Sequence, residues 1–221
     1  MNKTAIDILK NSLTASLGLV MFGAGVYLVI QANIGASPWD VFCIGLSQTL
    51  GIKYGNASIM ISAVLIVIDV IMGEKIGIGT ILDAVIVGKT VDLLNFLNLV
   101  PAIENNIVLS IVLLVAAFAL EGYSQYFYMK AALSCGPRDS FQIALGRRMP
   151  KVPIGVVNII ILLTVFVIGY FLGGPIGLGT ILTPFCAGLS QQFFFTVKKF
   201  DPKKTEHQNL IESLKVILRR S

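Results

Sequence analysis

Charged residues, histidine and cysteine are scarce in this sequence. Charged residues occupy 13% of the 221 positions, whereas soluble domains carry about 25%. The one histidine, His207, lies near the C-terminus, and the three cysteines, Cys43, Cys135 and Cys186, have no CxxC spacing. This distribution argues against a zinc or redox site, so we expect the cysteines to pack as small apolar side chains and predict no metal or cofactor.

Motifs for catalysis and for nucleic-acid binding are also missing. A Ser-His-Asp set or an HExxH motif needs a histidine near the other groups, and His207 follows the last apolar segment. The net charge of +5 comes from basic residues at the ends of apolar segments and in the tail, without the interleaved aromatics of a nucleic-acid surface. We therefore expect neither an enzyme nor a nucleic-acid-binding protein.

Apolar residues, by contrast, are abundant and form long runs. They make up 55% of the chain, and the mean hydropathy is +0.83. A helix needs about 20 such residues to cross the hydrocarbon core. The first run exceeds a signal-peptide core in length, so we expect it to remain as a span. The pattern predicts an all-α membrane protein with six transmembrane helices, at 11–33, 55–73, 80–99, 107–131, 153–173 and 180–197.

The chain repeats one pattern about 100 residues apart. The block 76–82 reads IGIGTIL and the block 176–182 reads IGLGTIL, so the two differ at one position. Each block is preceded by a proline with an aspartate two residues later, first at Pro38 and then at Pro137. Such self-similarity indicates a duplicated unit. We predict three parts: a first three-span repeat over 1–100, a second over 101–199, and a basic tail over 200–221.

Each repeat also holds a segment too short to cross the bilayer, at 38–50 and at 138–148. In the first, Ser37 suits the N-cap, Pro38 the first helical position, and Asp40 the third position, where a carboxylate can accept free backbone N–H groups. These residues predict a short capped helix that is either re-entrant or interfacial.

Glycines and prolines mark the expected helix breaks. Thr80 is expected to cap the third span, with Asp83 at the third helical position in a variant of the capping box. The Gly-x-Gly-Thr turns are not phosphate-binding loops, because the lysine is missing. The predicted helix-breaking residues are Gly35, Pro38, Gly77, Gly79, Pro137, Gly177 and Gly179.

The distribution of basic residues predicts the topology. Six spans place both termini on one side, and nearly all lysines and arginines outside the spans then lie on that side, with Lys53 alone on the other. The positive-inside rule makes that side cytoplasmic. Because each repeat has three spans, the second must be inverted relative to the first, as in many secondary transporters.

The GASPWD motif at 35–40, the glycines at 51 and 55, and the block 76–82 with Gly88 form a distinctive set. This set resembles the YitT/YczE family of bacterial integral membrane proteins, most closely the YczE branch, over nearly all of residues 10–197. The resemblance implies a bacterial cell-membrane protein and implies no reaction. In the second copy Arg138 replaces the tryptophan, so a site between the copies would be asymmetric.

Polar residues within spans are the candidate binding residues. Glu121 has no neutralising neighbour in sequence, so it is either a proton carrier or a protonated acid hydrogen-bonded within the bundle. Asp40 and Asp139 either cap helices or, with Arg138, form an anion site at two facing helix N-termini. The predicted substrate-binding residues are Asp40, Arg138, Asp139, Glu121, Gln125, Thr80 and Thr180.

Three further charged residues lie within or close to the spans. Lys89 and Asp92 are three residues apart on one predicted helix, so they form either a neutral structural ion pair or an ion-coupled site. Asp69, near the end of the second span, is expected to be solvated.

Two functions remain open. The first is a small transporter or permease for a small solute. Arg138 would favour the binding of an anionic solute. The transporter would work by alternating access between inverted halves, and the size of the unit favours a homodimer in the bilayer. The second is a non-transporting accessory protein that assists a cytoplasmic partner through Arg147, Arg148, Lys151 and the tail. A substrate-binding subunit of a larger importer is a third reading, which the internal inversion argues against.

Overall fold

The computed structural model describes residues 5–152, 154–200 and 210. The regular elements of these residues are all helices, and no strand occurs among them, which confirms the all-α prediction. The predicted basic tail lies almost wholly outside the described residues. The helices are α1 (Ala5–Gln31), α2 (Pro38–Leu50), α3 (Tyr54–Ile71), α4 (Ile78–Leu97), α5 (Ile107–Lys130), α6 (Pro137–Arg148), α7 (Ile154–Phe171) and α8 (Leu178–Val197).

Among the described residues, three helices are long and apolar enough to cross a membrane: α1, α3 and α5. Helix α7 carries a shorter apolar stretch, Gly155–Phe171. The apolar sequence of α4 is interrupted by the charged residues Asp83, Lys89 and Asp92, and that of α8 by two adjacent glutamines. Large apolar side chains cover the outside of the bundle, including Val112 on α5 and Leu163 on α7. Length, composition and this apolar surface describe a membrane protein, although only three of the six predicted spans qualify by themselves.

Helix α1 is the centre of the bundle, because it packs along both α4 and α5. Its buried Leu19 and Tyr27 join Val87 and Val91 of α4 in the largest apolar cluster. The short helices cross between the halves: α2 packs on α7, and α6 packs on α3. The two halves are therefore interleaved, and residues from both can reach one shared interior.

Each Gly-x-Gly-Thr turn is held by the loop that precedes the short helix of the other half. The Gly79 amide donates to the Leu133 carbonyl at 2.8 Å, and the Gly179 amide donates to the Ile34 carbonyl at 2.6 Å. These two hydrogen bonds occupy equivalent positions in the two halves. They give the repeated turns a structural role, which explains why the block recurs almost unchanged.

The prediction that Thr80 is a helix cap is wrong by three residues. Gly77 is the N-cap, and the Thr80 hydroxyl accepts a hydrogen bond from the Gly77 amide at 3.3 Å. That hydroxyl also lies 2.7 Å from the Cys135 carbonyl, to which it donates. Thr180 repeats the arrangement with Gly177. The apolar run begins two residues before the threonine, so the helix starts earlier than the capping pattern suggested.

Asp69 also differs from its prediction, because it is fully buried. Neither oxygen of its carboxyl group has a hydrogen-bond partner among the described residues. Helix α3 packs on α6 near this end, and that contact could not be foreseen from the position of Asp69 in its span.

The two halves differ in one helix pair. Helices α3 and α4 pack closely, whereas α7 and α8 share at most marginal contact. The side chains at equivalent positions 100 residues apart also differ. Helix α4 presents the buried Val87 and Val91, while α8 presents Ala187 and Gln191, which line a cavity. Val87 and Val91 fill the apolar cluster with α1 and α3, whereas Ala187 and Gln191 leave space for the cavity.

Candidate functional site

A cavity of about 490 Å³ lies between the halves. This volume falls within the range of roughly 300–1,000 Å³ that is typical of small-molecule sites. Helices α1, α2, α5, α6, α7 and α8 contribute to its wall. Five of the seven predicted substrate-binding residues line it: Asp40, Glu121, Gln125, Arg138 and Asp139.

The N-terminus of α2 forms one wall of the cavity. As predicted, Ser37 is the N-cap, accepting from the Asp40 amide at 3.3 Å, and Pro38 starts the helix. The Asp40 carboxylate does not accept the free backbone amides that the sequence suggested. It accepts instead from the Ser37 hydroxyl at 2.5 Å and from the Tyr54 hydroxyl at 2.8 Å. Two hydroxyl donors fix this carboxylate at the cavity wall.

Arg138 links the two short helices. Its Nη1 atom lies 3.8 Å from Oδ1 of Asp40, and its guanidinium lies 5.2 Å from the centre of the Trp39 ring. Its Nη2 atom approaches the Cys43 sulfur at 3.5 Å. Arg138 and Trp39 hold equivalent positions in the repeats, so the exchange of tryptophan for arginine creates a cation–π pair between the halves.

The first turn of α6 places Asp139 on the cavity wall. Its Oδ2 atom accepts from the Tyr128 hydroxyl at 3.2 Å, and that hydroxyl in turn accepts from the Gly136 amide at 3.1 Å. Asp139 therefore has a single hydroxyl donor, where Asp40 has two donors and a guanidinium.

Glu121 is the least compensated carboxyl group in the cavity wall. The residue is 7% exposed, and its carboxyl group makes no hydrogen bond or ion pair within the described part of the chain. Its side chain lies against Gly25 of α1, where a Cβ atom would come 2.5 Å from the Glu121 Cγ. One turn further along, the Gln125 Oε1 atom is also buried without a partner among these residues. Two polar groups thus face the cavity unsatisfied.

A second cavity of about 90 Å³ adjoins the first and shares Gln125, Arg138 and Asp139 with it. It brings in Asp83, which the sequence suggested only as a capping residue. Asp83 instead faces the start of α6, since a Cβ at Gly136 would lie 2.6 Å from its carboxylate. The cluster of acidic side chains in the interior therefore has one more member than the sequence indicated.

The remaining predicted site residues lie elsewhere. Thr80 and Thr180 are buried in the turn contacts described above and do not line the main cavity. Lys89 lies 4.0 Å from Asp92, half exposed at the bundle edge, and donates to Asn56 at 2.7 Å. Asp92 accepts from the Gly55 amide at 2.8 Å. This pair joins α3 to α4, neither of which lines the main cavity.

Several residues of the site were not predicted from the sequence, among them Trp39 as a lining residue and Tyr54 and Tyr128 as hydroxyl donors. The tyrosines gave no motif signal, because each meets its aspartate only through packing of separate helices. Trp39 could have been found, since it holds the position equivalent to Arg138.

The cysteines and acids show no metal-binding arrangement. Within residues 5–152, 154–200 and 210, no three His, Cys, Asp or Glu side chains come together as metal ligands. Burial raises the pKa of the Cys135 thiol, in the loop before α6, to about 12. A thiol of that pKa is a poor nucleophile at neutral pH, so its surroundings suit a packing role.

Helical spans around a buried polar cavity define the class: this is an all-α integral membrane protein. The chain belongs to a family of unknown function, DUF6198, whose model matches residues 9–196. It is similar to the uncharacterized membrane protein YczE of Bacillus subtilis, with 34% identity over 182 residues that cover 80% of this chain and 81% of that protein. This likeness confirms the resemblance to the YczE branch.

Two further relatives are similarly covered. The uncharacterized protein YyaS of Bacillus subtilis is 26% identical over 82% of this chain and 90% of its own length. An uncharacterized protein of Haemophilus influenzae is 25% identical over 81% of this chain and 80% of its own length. No solved structure matches the chain.

Proposed function

We propose that the protein is a small permease of the bacterial cell membrane, which moves a small solute by alternating access between two inverted halves. One observation carries the proposal. The first turns of both short helices and the unpartnered Glu121 meet in one cavity of about 490 Å³, enclosed by helices of both halves. Secondary transporters bind their substrates at such a position, where broken helices meet at the repeat interface.

Three features support the inversion. Each half has the same order of long, short and two intermediate helices. The hydrogen bonds from Gly79 to Leu133 and from Gly179 to Ile34 are equivalent under exchange of the halves. An odd number of spans per repeat turns one copy upside down, and the basic residues then favour cytoplasmic termini. In this arrangement α4 and α8 complete six spans, and Asp83 of α4 and Gln191 of α8 face the interior cavities.

The difference between the halves supports alternation. In the first half Gly55 and Gly88 bring α3 and α4 into backbone contact, whereas the equivalent Gly155 and Gly188 have open space around them. A transporter caught in one state is expected to have one half closed and the other open. We infer that Gly155 and Gly188 approach each other when α7 and α8 close.

The accessory-protein alternative gains no specific support. Two of its basic residues are engaged within the molecule: Arg147 lies 2.9 Å from Glu74, and Arg148 donates to the Met72 carbonyl at 3.4 Å. Both contacts join α6 to the end of α3. These arginines therefore connect α6 to α3, which reduces the positive charge available to a cytoplasmic partner.

A flux assay tests the permease. The purified full chain is reconstituted in proteoliposomes, and uptake of tetraethylammonium, glycine betaine, lactate and phosphate is compared with protein-free vesicles. We expect uptake of at least one probe, which falls at least tenfold in Glu121→Gln and Asp139→Asn. Glu104→Gln, an exposed linker residue, is the matched control and should transport normally.

Protein that is folded and monodisperse yet moves no probe contradicts the permease. A partner that co-purifies with the full chain and is lost on deletion of residues 200–221 would then favour the accessory role.

We expect the permease to be a homodimer, and multi-angle light scattering of the detergent complex measures the protein mass that decides this.

A further inference from the structure

The charges around the cavity indicate the charge of the solute. Three carboxyl groups line it, from Asp40, Glu121 and Asp139, against one guanidinium from Arg138. The N-termini of α2 and α6 add roughly half a positive charge each. If all three carboxyl groups are ionised, at least one negative charge remains uncompensated. Asp83, across Arg138 in the smaller cavity, adds to the excess.

The uncompensated charge belongs to Glu121. Asp40 has two hydroxyl donors and lies 3.8 Å from Arg138, and Asp139 has the Tyr128 hydroxyl. Glu121 is more than nine-tenths buried, lines the cavity and has no hydrogen bond or ion pair among the described residues. An isolated buried carboxylate is costly, so such a group holds a proton or faces a cation.

The walls indicate which kind of cation fits. A cavity of about 490 Å³ is far larger than an alkali ion requires and suits a small organic molecule. Apolar side chains such as Phe22 and Leu162 share the wall with the acids, and the Trp39 ring already stacks on one cation. Aromatic faces bind organic ammonium groups in the same way.

Resting on the proposed permease, we infer that the solute is a small organic cation, exchanged for a proton on Glu121. When the cation enters, the Glu121 carboxyl group releases its proton and the carboxylate balances the positive charge. When the cation leaves, a proton returns. One positive charge is exchanged for another, so the net charge of the site is the same at each step. The anion suggested by the sequence is disfavoured, because Arg138 is already balanced by Asp40.

The groups that face Glu121 set the pH dependence of this exchange. Helix α1 presents Phe22, Val26 and Gly25, and α7 and α8 present the uncharged Asn158, Thr183 and Gln191. The titratable or charged groups are contributed by α2, α4 and α6: Asp40, Asp83, Arg138 and Asp139. Since Arg138 and Asp40 are paired, removal of Glu121 alone should abolish most of the pH dependence.

Trp39 is the one tryptophan of the chain and lines the cavity, so its fluorescence reports binding without any flux. Tetraethylammonium is the probe, because it is permanently charged, and phosphate is the anionic comparison. We expect tetraethylammonium to change the fluorescence saturably, with an apparent Kd that falls by up to roughly tenfold per pH unit as the pH rises, since one proton leaves. Phosphate should leave the signal unchanged.

The variants make the test specific. Glu121→Gln should weaken tetraethylammonium binding at least tenfold and remove most of its pH dependence, while Glu104→Gln should bind as the unmodified chain does. No response to tetraethylammonium, a response to phosphate alone, or an unaltered pH dependence in Glu121→Gln overturns the inference. If binding behaves as expected and no flux occurs, the permease fails while the cation site stands. If the protein transports an anion and does not bind tetraethylammonium, the permease stands while the cation site fails.

Discussion

Gly55 and Gly88 pack backbone against backbone where α3 crosses α4. A Cβ atom added at Gly88 would lie 2.9 Å from the Gly55 Cα, and one added at Gly55 would collide with the Gly88 carbonyl oxygen. At the equivalent Gly155 and Gly188, no neighbouring atom of the described part of the chain lies within 4 Å of such a Cβ. The same glycine pair is thus closed in one half and open in the other.

This difference predicts opposite effects of alanine in the two halves. Gly88→Ala should destabilise the protein by about 1–3 kcal/mol through overpacking. Gly188→Ala should be neutral or stabilising by up to about 1 kcal/mol, because alanine is the better helix former. Thermal unfolding in detergent measures both. Flux should nevertheless fall several-fold in Gly188→Ala if α7 and α8 must close on this residue. Equal destabilisation by the two substitutions would argue against the distinction.

Arg138 should be the most sensitive polar residue of the interior. Its pair with Asp40 is largely buried, with Asp40 only 4% exposed at its side chain. Arg138→Gln leaves that carboxylate without its cation and should cost about 3–5 kcal/mol. Asp40→Asn in the same chain should restore part of the loss, because the remaining charge is removed. Chemical denaturation of the single and double variants measures the coupling free energy between the two residues. If the changes in the free energy of unfolding are strictly additive, the two residues act independently.

The residues that could be predicted are those whose signal lies within one segment. The approximate positions of the helices, the short helices, the Ser37 cap and five of the lining residues all followed from local patterns such as apolar runs and proline-aspartate spacing. Asp69 and Thr80 were misjudged, because their surroundings are supplied by other helices. The Tyr54–Asp40 and Tyr128–Asp139 hydrogen bonds were missed for the same reason. The separation of α7 from α8 depends on packing between helices, so the comparison of the two repeats in the sequence did not predict it.

Gly35 should tolerate substitution less well than Gly51. Its φ of +107° is rarely adopted by other residues, and a Cβ there would lie 2.6 Å from the Thr180 hydroxyl. Gly51 ends α2 with φ +64° and open space around it. Gly51→Ala should therefore cost about 1 kcal/mol from backbone strain alone, and Gly35→Ala distinctly more. Thermal unfolding of the two variants decides, and equal costs would show that the contact with the Gly-x-Gly-Thr turn is unimportant.

Cys135 should react slowly with N-ethylmaleimide. Burial raises the pKa of its thiol to about 12, so little thiolate exists near neutral pH. Labelling of the native protein should be at least tenfold slower than after unfolding in sodium dodecyl sulfate, as followed by mass spectrometry of the Cys135 peptide. Rapid labelling of the native chain would mean that the loop before α6 opens readily to solvent.

Alternation itself can be observed with two matched spin-label pairs. Met60 with Leu93 reports on α3 and α4, and Ile160 with Phe193 reports on α7 and α8. All four side chains are exposed on the outside of the bundle, and the pairs hold equivalent positions 100 residues apart. Each pair is introduced as cysteines in a chain whose three native cysteines are replaced by alanine.

Distances within each pair, measured by double electron–electron resonance in nanodiscs at acidic and alkaline pH, test the central claim most directly. The account predicts two populations for each pair, with the α7–α8 distance shortening as the α3–α4 distance lengthens. A single α7–α8 distance that stays long while α3 and α4 stay closed, under every condition in which the protein remains folded, would contradict alternating access.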